Sequence, residues 1–306
     1  MSKEIAPHVH QLQIGFVNVY AITTPDDDWV LVDTAIKPGL TLVQGLEKQF
    51  GKPPLAIVLT HGHFDHAGNA KSLADHWNVK IHAHKREMPY LTGDEEYPPF
   101  DPTVGGALAF LTRFFPSPEY DFGDRLETLP ENGELSFLPG WKIIETPGHT
   151  PGHISLWDDE AKTIIAGDSL CTADFDKWPG ATIQVPQQLA RPASPATPDW
   201  EAARASVEKL AELEPQHIAA GHGQPMSGGD VAGELRDLAR DFAPPAHGRY
   251  VGEPATYAPD GSLIALPSRV SDPLGISLKV GAGALLTLAL ASIVKSRVGR
   301  NRVESD

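Results

Sequence analysis

The chain is expected to fold as a layered α/β protein, on three observations. Short apolar strand segments alternate with helical stretches. Histidine and aspartate residues recur just after those strands, beside glycine. The hydrophobic fraction, 41 %, is that of a folded globular chain of 306 residues, enough for one large core or two modest ones.

The elements follow in order. Residues 9–14 alternate apolar and polar positions, and an apolar strand follows over 16–22. The acidic turn at 25–28 leads into a hydrophobic strand over 29–33. A helix is expected from Pro38 to Phe50, with the proline suited to its first turn. Residues 55–60 form a buried strand, 68–77 a helix and 79–83 another strand. Residues 88–132 break this rhythm with Pro98, Pro99, Pro102, Gly105 and Gly106 among Phe100, Phe110, Phe114 and Phe115. That insertion is either a lid over a site or an excursion with its own small core. Strands resume at 141–145, 154–157 and 163–166. After a proline-rich stretch, the Thr197 hydroxyl is expected to cap a helix with Pro198 at its first position, running to about Glu214. A strand over 217–220 closes the series.

Charge narrows the partners. Acidic residues outnumber basic ones 40 to 25, and no basic stripe with interleaved aromatics is visible, so nucleic acid is not expected to bind. The lone cysteine, Cys171, rules out an intramolecular disulfide framework and suits a reducing compartment. The opening residues lack a basic segment followed by an apolar run, so a cytoplasmic location is expected.

The chemistry concentrates in His61, His63, Asp65 and His66, held within six positions after the 55–60 strand. Imidazole nitrogen and carboxylate oxygen are ligands that a borderline divalent ion such as zinc prefers. His149 follows a strand within a Thr-Pro-Gly-His sequence, Asp168 follows another within Ala-Gly-Asp, and His222 a third within Gly-His-Gly. Each lies where the backbone can turn sharply and present a side chain at a sheet edge. Six ligands and one shared carboxylate can hold two cations about 3.5–4 Å apart. A water between them would lose a proton readily, and the resulting hydroxide would attack a carbonyl or phosphoryl centre. Asp33, at the end of its strand, is either a partner that orients a ligand imidazole or a turn residue. His153, four positions after His149, is expected to pack or hydrogen-bond nearby. Cys171 is expected to be a small buried thiol.

The His-x-His-x-Asp-His run at 61–66, followed by Thr-Pro-Gly-His149, Gly-Asp168 and Gly-His222, resembles the metallo-β-lactamase superfamily over residues 9 to about 242. Its glyoxalase II-like and lactonase-like hydrolases are the nearest in character. The resemblance implies a four-layer αββα sandwich with a two-metal site at one edge. It implies that His61, His63 and His149 hold one ion, that Asp65, His66 and His222 hold the other, and that Asp168 bridges them. Zinc is the expected metal, with iron or manganese as alternatives. Asp65 and Asp168 are the expected catalytic carboxylates, Asp65 orienting the hydroxide and carrying its proton to the leaving group.

Departures from particular members shape the substrate reading. Acyl-homoserine lactonases commonly place a tyrosine shortly after the bridging aspartate, whereas residues 169–172 here carry no phenol. Glyoxalase II binds glutathione through basic residues in a C-terminal helical region. The only basic cluster here, Lys295 to Arg302, follows an apolar segment. The expected activity is hydrolysis of an ester-like bond in a small molecule: a lactone, thioester or carboxylic ester with an apolar acyl part. The alternatives are a one-iron persulfide dioxygenase and a phosphotriester hydrolase on the same scaffold.

The expected catalytic domain covers 1–242, with a Pro/Gly-rich arm over 243–273 and an apolar helix with a basic tail over 274–306. Residues 280–294 carry no charge but fall short of the ~20 residues of a spanning helix. The 274–294 segment is expected to pack on the protein, to form a homodimer contact or to meet a membrane.

Overall fold

A computed structural model describes residues 1–116, 119–275 and 277. The chain divides into two compact units, Met1–Ser268 and Arg269–Asp306. The expected apolar helix over 280–294 lies outside the described residues. Among the described residues no helix is long and apolar enough to cross a membrane.

The first unit is built on two sheets. Seven strands follow chain order across the first: β1 (Lys3–Ala6), β2 (Val9–Ile14), β3 (Val17–Thr23), β4 (Trp29–Val32), β5 (Ile57–Val58), β6 (Ile81–Ala83) and β7 (Leu126–Thr128). Pairing is antiparallel through β4 and parallel from β4 to β7. The change has a simple cause: the early strands are joined by tight turns, whereas a parallel pair needs a crossover. Helix α1 (Leu40–Phe50) lies between β4 and β5, and α2 (Phe64–Ala67) and α3 (Ala70–Trp77) lie between β5 and β6. The insertion carries α4 (Met88–Leu91) and α5 (Ala107–Leu111).

The second sheet contains β8 (Trp141–Glu145), β9 (Ile154–Asp158), β10 (Thr163–Gly167), β11 (His217–Ala220) and β12 (Met226–Ser227), in the order β12-β11-β10-β9-β8. Helices α6 (Trp178–Ile183) and α7 (Trp200–Ala211) occupy the crossover between parallel β10 and β11, and α8 (Val231–Arg240) follows β12.

The pleat separates the layers. In β4, Leu31 belongs to the cluster that contains Val43 and Leu46 of α1 and Leu73 of α3, while Val30 and Val32 face the other way. There they meet Ile154, Leu156 and Ile165 of the second sheet. Ile164, beside Ile165, packs with Val207 and Leu210 of α7 and Leu235 of α8. Neighbouring side chains on a strand point to opposite faces, so a strand buried on both sides reads as a continuous apolar run. The layers are therefore helix, sheet, sheet, helix, as expected.

Several local features differ from the sequence reading. The strand at 55–60 pairs only over Ile57–Val58. The Thr60 N–H instead donates to the Asp33 carboxylate, which draws the chain out of the ladder. Helix α7 is capped by Asp199, whose Oδ1 accepts the Ala202 N–H at 2.9 Å. The Thr197 hydroxyl, two positions before that cap, donates to the Ala193 carbonyl. Residues 243–268 lie within the first unit. Tyr250 and Ala255 enter the α7/α8 cluster, and β13 (Thr256–Tyr257) pairs with β14 (Leu263–Ala265).

Candidate metal centre

The fold gathers the predicted residues at one sheet edge. Strands β8 and β10 are each antiparallel to β9, and β11 is parallel to β10, so β8, β10 and β11 run the same way. His149, Asp168 and His222 follow their C-terminal ends. His61 and His63 lie in the loop after β5, and Asp65 and His66 sit in the single turn of α2.

Three overlapping groups form there: His61, His63 and His149; His61, His66 and Asp168; and Asp65, His66 and His222. His63 Nδ1 lies 3.1 Å from His61 Nε2 and 2.9 Å from His149 Nε2. Tetrahedral ligands at zinc–nitrogen bond lengths would be about 3.3 Å apart, so the three nitrogens are spaced to face one ion. His222 Nε2 is 3.4 Å from Asp65 Oδ2 and 3.1 Å from Asp168 Oδ2. Asp168 also approaches His66 Nε2 at 3.3 Å and His149 Nε2 at 3.4 Å, which puts its carboxylate between the two sets. His66 Nε2 and Asp168 Oδ1 are buried without a hydrogen-bond partner. Buried polar atoms are normally satisfied, and atoms converging this closely fit a divalent cation. The donor set is thus suited to two ions.

The electrostatics divide along the same line. Burial pushes His61 and His149 well below the usual imidazole range and lowers His63 to about 4. These imidazoles are neutral, as ligation requires. Burial also lowers His66 and His222, but the surrounding carboxylates outweigh it. Asp168, Asp33 and Asp65 raise His66 well above its ordinary value, and Asp168 with Asp65 raises His222 to about 10. Burial opposes ionisation of Asp65 and Asp168, yet the facing histidines hold both carboxyls below their ordinary range.

Further groups aim the clustered side chains. Asp33 Oδ2 accepts from His66 Nδ1 at 2.7 Å and from the Thr60 hydroxyl at 2.8 Å, while its Oδ1 takes the Thr60 N–H. That leaves His66 Nε2 to face the cluster, the arrangement by which an outer carboxylate fixes a ligand tautomer. His222 Nδ1 donates to the Phe16 carbonyl at 2.7 Å. His153 belongs to none of the three groups. Its Nε2 accepts the Asp168 N–H at 2.8 Å, its Nδ1 faces the Thr146 hydroxyl, and burial lowers it to about 3. Cys171 is buried, and burial pushes its thiol well up.

Two supporting residues escape a sequence reading. Asn18 donates to the carbonyls of Ala220 and Gly223 on either side of His222. An amide inside an apolar strand was its one available signal. Glu87 is wholly buried and accepts backbone N–H groups from both histidine loops. Burial raises its carboxyl, with Tyr97, Thr150 and those N–H groups pulling the other way.

The cavity over the cluster is walled by Phe16, Phe64, Phe100, Phe115 and Phe175. Phe100 and Phe115 come from the insertion, and Phe115 touches Phe16, Phe64 and Phe100. Among the described residues that line it there is no lysine or arginine, and the Thr112 hydroxyl donates to the Ala109 carbonyl.

Comparison with known proteins agrees with this geometry. The chain is 42 % identical over 242 residues to the "Probable metallo-hydrolase YflN" of Bacillus subtilis, covering 77 % of this chain and 91 % of that protein. It is 33 % identical over 116 residues to the hydroxyacylglutathione hydrolase GloC of Haemophilus influenzae, covering 37 % of this chain and 49 % of that protein. Among solved structures, TTHA1623 in a di-iron-bound form superposes with a TM-score of 0.51 at 26 % identity, covering 76 % of this chain and 98 % of that one. The BLEG-1 B3 metallo-β-lactamase shares the fold, with a TM-score of 0.53 at 24 % identity, covering 78 % and 97 % of the two chains. The model of the metallo-β-lactamase superfamily matches residues 12–222, the span that carries all seven clustered residues, and the chain belongs to that superfamily.

Proposed function

We propose that this protein is a two-metal hydrolase of an ester-like bond (lactone, thioester or carboxylic ester) whose acyl part is apolar and uncharged. The observation that carries this reading is the convergence of seven His and Asp side chains beneath a wall of phenylalanines. His61, His63 and His149 would hold one ion, Asp65, His66 and His222 the other, and Asp168 would lie between them. Zinc fits these donors, and the di-iron neighbour makes iron the first alternative. Bound there, two divalent ions supply Lewis acidity and an acidified water.

The remaining roles fall to the chain. Asp65 lines the cavity and would take a proton from an attacking water and pass it to the leaving group. Among the described wall residues the Thr112 hydroxyl is engaged with the Ala109 carbonyl, and Cys171 is held as a thiol, so they favour water over a side-chain nucleophile. Partial likeness to GloC supports including thioesters. Among the described residues that line this cavity there is no cation for the carboxylates of a glutathione leaving group, which favours an uncharged thiol or alcohol on the leaving side.

Proton release in a pH-stat tests the reading. Zinc-loaded protein is assayed against lactones, thioesters, aryl esters and phosphotriesters, with Asp168→Ala as the blank. Turnover of one carbonyl class, rising with the apolar length of the acyl group, is expected. Asp168→Ala and His63→Ala should abolish it while circular dichroism stays unchanged. Silence across the panel, or full activity in either variant, would overturn the reading.

A further inference from the structure

Glu87 has surroundings that a surface charge would not have. It follows Lys85 and Arg86 but is wholly buried. Its Oε2 accepts the Gly62 N–H at 3.0 Å, and Gly62 stands between His61 and His63. Its Oε1 accepts the Gly152 N–H at 2.7 Å, in the loop that carries His149. The Tyr97 hydroxyl also donates to Oε2, and the Tyr97 ring lies 5.0 Å from that of His63. Tyr97 in turn stacks on Tyr90 at 4.1 Å, and the Tyr90 hydroxyl donates to the Gly261 carbonyl.

Both glycines are fitted to this contact. A methyl group at Gly62 would come within 2.2 Å of the Tyr97 oxygen, and one at Gly152 within 2.9 Å of the Glu87 Cγ. Real side-chain carbons do not approach so closely, so these backbones are glycine because they lie against the carboxylate and its tyrosine. Glu87 belongs to none of the three ligand groups. It instead joins a loop hung from the first sheet to a loop hung from the second.

We propose that Glu87 is a positioning residue: by clamping the Gly62 and Gly152 N–H groups it sets how far His61 and His63 stand from His149. The inference rests on reading these histidines as metal ligands. A carboxylate with donors on both oxygens is specific in this place. A glutamine of the same size must turn its NH2 group toward a backbone N–H, so one loop is repelled rather than held.

The test is Co2+ titration of the full chain in competition with a chromophoric chelator, read beside the cobalt absorption spectrum. Glu87→Gln should fold, as judged by circular dichroism. It should lose ten- to a hundredfold in affinity at the trihistidine set, the usual cost of removing an outer partner, with a changed spectrum. Wild-type affinity and spectrum in folded Glu87→Gln would overturn the clamp and leave the metal centre standing. Absence of cobalt uptake by the wild type would overturn both. If Glu87→Gln does not fold, Tyr97→Phe is read in its place: a several-fold loss supports the clamp, and unchanged affinity overturns it.

Discussion

Asp33 shows how much one side chain decides at this centre. It takes the proton side of His66 and anchors Thr60, and it does so from a left-handed backbone with φ 62°. Asparagine tolerates that backbone and matches the size, so Asp33→Asn isolates the charge. Its amide would donate to His66 Nδ1, moving the imidazole proton onto Nε2, where it blocks ligation. Affinity at the Asp65, His66 and His222 set should fall ten- to a hundredfold by chelator competition, with no change in fold. Residues of this kind differ in legibility. Asp33 stands at the end of an apolar strand, where its role could be suspected. Glu87 follows two basic residues, and its partners are backbone N–H groups 25 and 65 positions away, so nothing local distinguishes it from a solvated charge.

At the scale of elements, α7 does more than cover the second sheet. The Asp199 N–H donates to the Gly148 carbonyl, and the Ser206 hydroxyl to the Pro147 carbonyl, so the helix braces the loop that presents His149. The side chain of Asp199 caps the same helix. Asp199→Ala removes the cap and keeps the backbone bond, so urea unfolding should show a loss of about 1 kcal/mol. The elements were legible where they are nearly continuous apolar runs, as at 29–32 and 163–166. They were less so where a side-chain bond intervenes: Thr60 leaves its strand for Asp33, 27 positions back, and Asp199 caps α7 in place of Thr197. A threonine before Pro-Asp looks like a cap until its partner is known.

For the whole molecule, the buried histidines set a pH dependence. In the metal-free protein His222 is raised to about 10 by its carboxylates, against an ordinary value of 6.5. Its charged pairing therefore stabilises the fold fully below pH 6.5 and is lost as pH rises toward 10. His63 and His153 are lowered to about 4 and about 3 by burial. The unfolded chain protonates at those positions first, so they destabilise the fold as pH falls below 6.5. Thermal unfolding of chelator-treated protein should show greatest stability near pH 6.5, and stability rising steadily to pH 10 would contradict the assignment. The fold class and the seven clustered residues were readable because each feature lies within a few positions of the chain. The bonds between the sheets were not, since they join residues 65 to 205 positions apart.

The long reach between Phe16 and His222 has a consequence during synthesis. His222 is the last of the seven clustered residues to leave the ribosome, yet its ring is held by the Phe16 carbonyl, 206 positions earlier, and its loop by Asn18. A chain halted before β11 carries the trihistidine set and Asp168 but lacks a complete second set. If the two sets hold metal as proposed, the first can fill before β11 is made, while the second waits until the His222 loop folds back against Phe16 and Asn18.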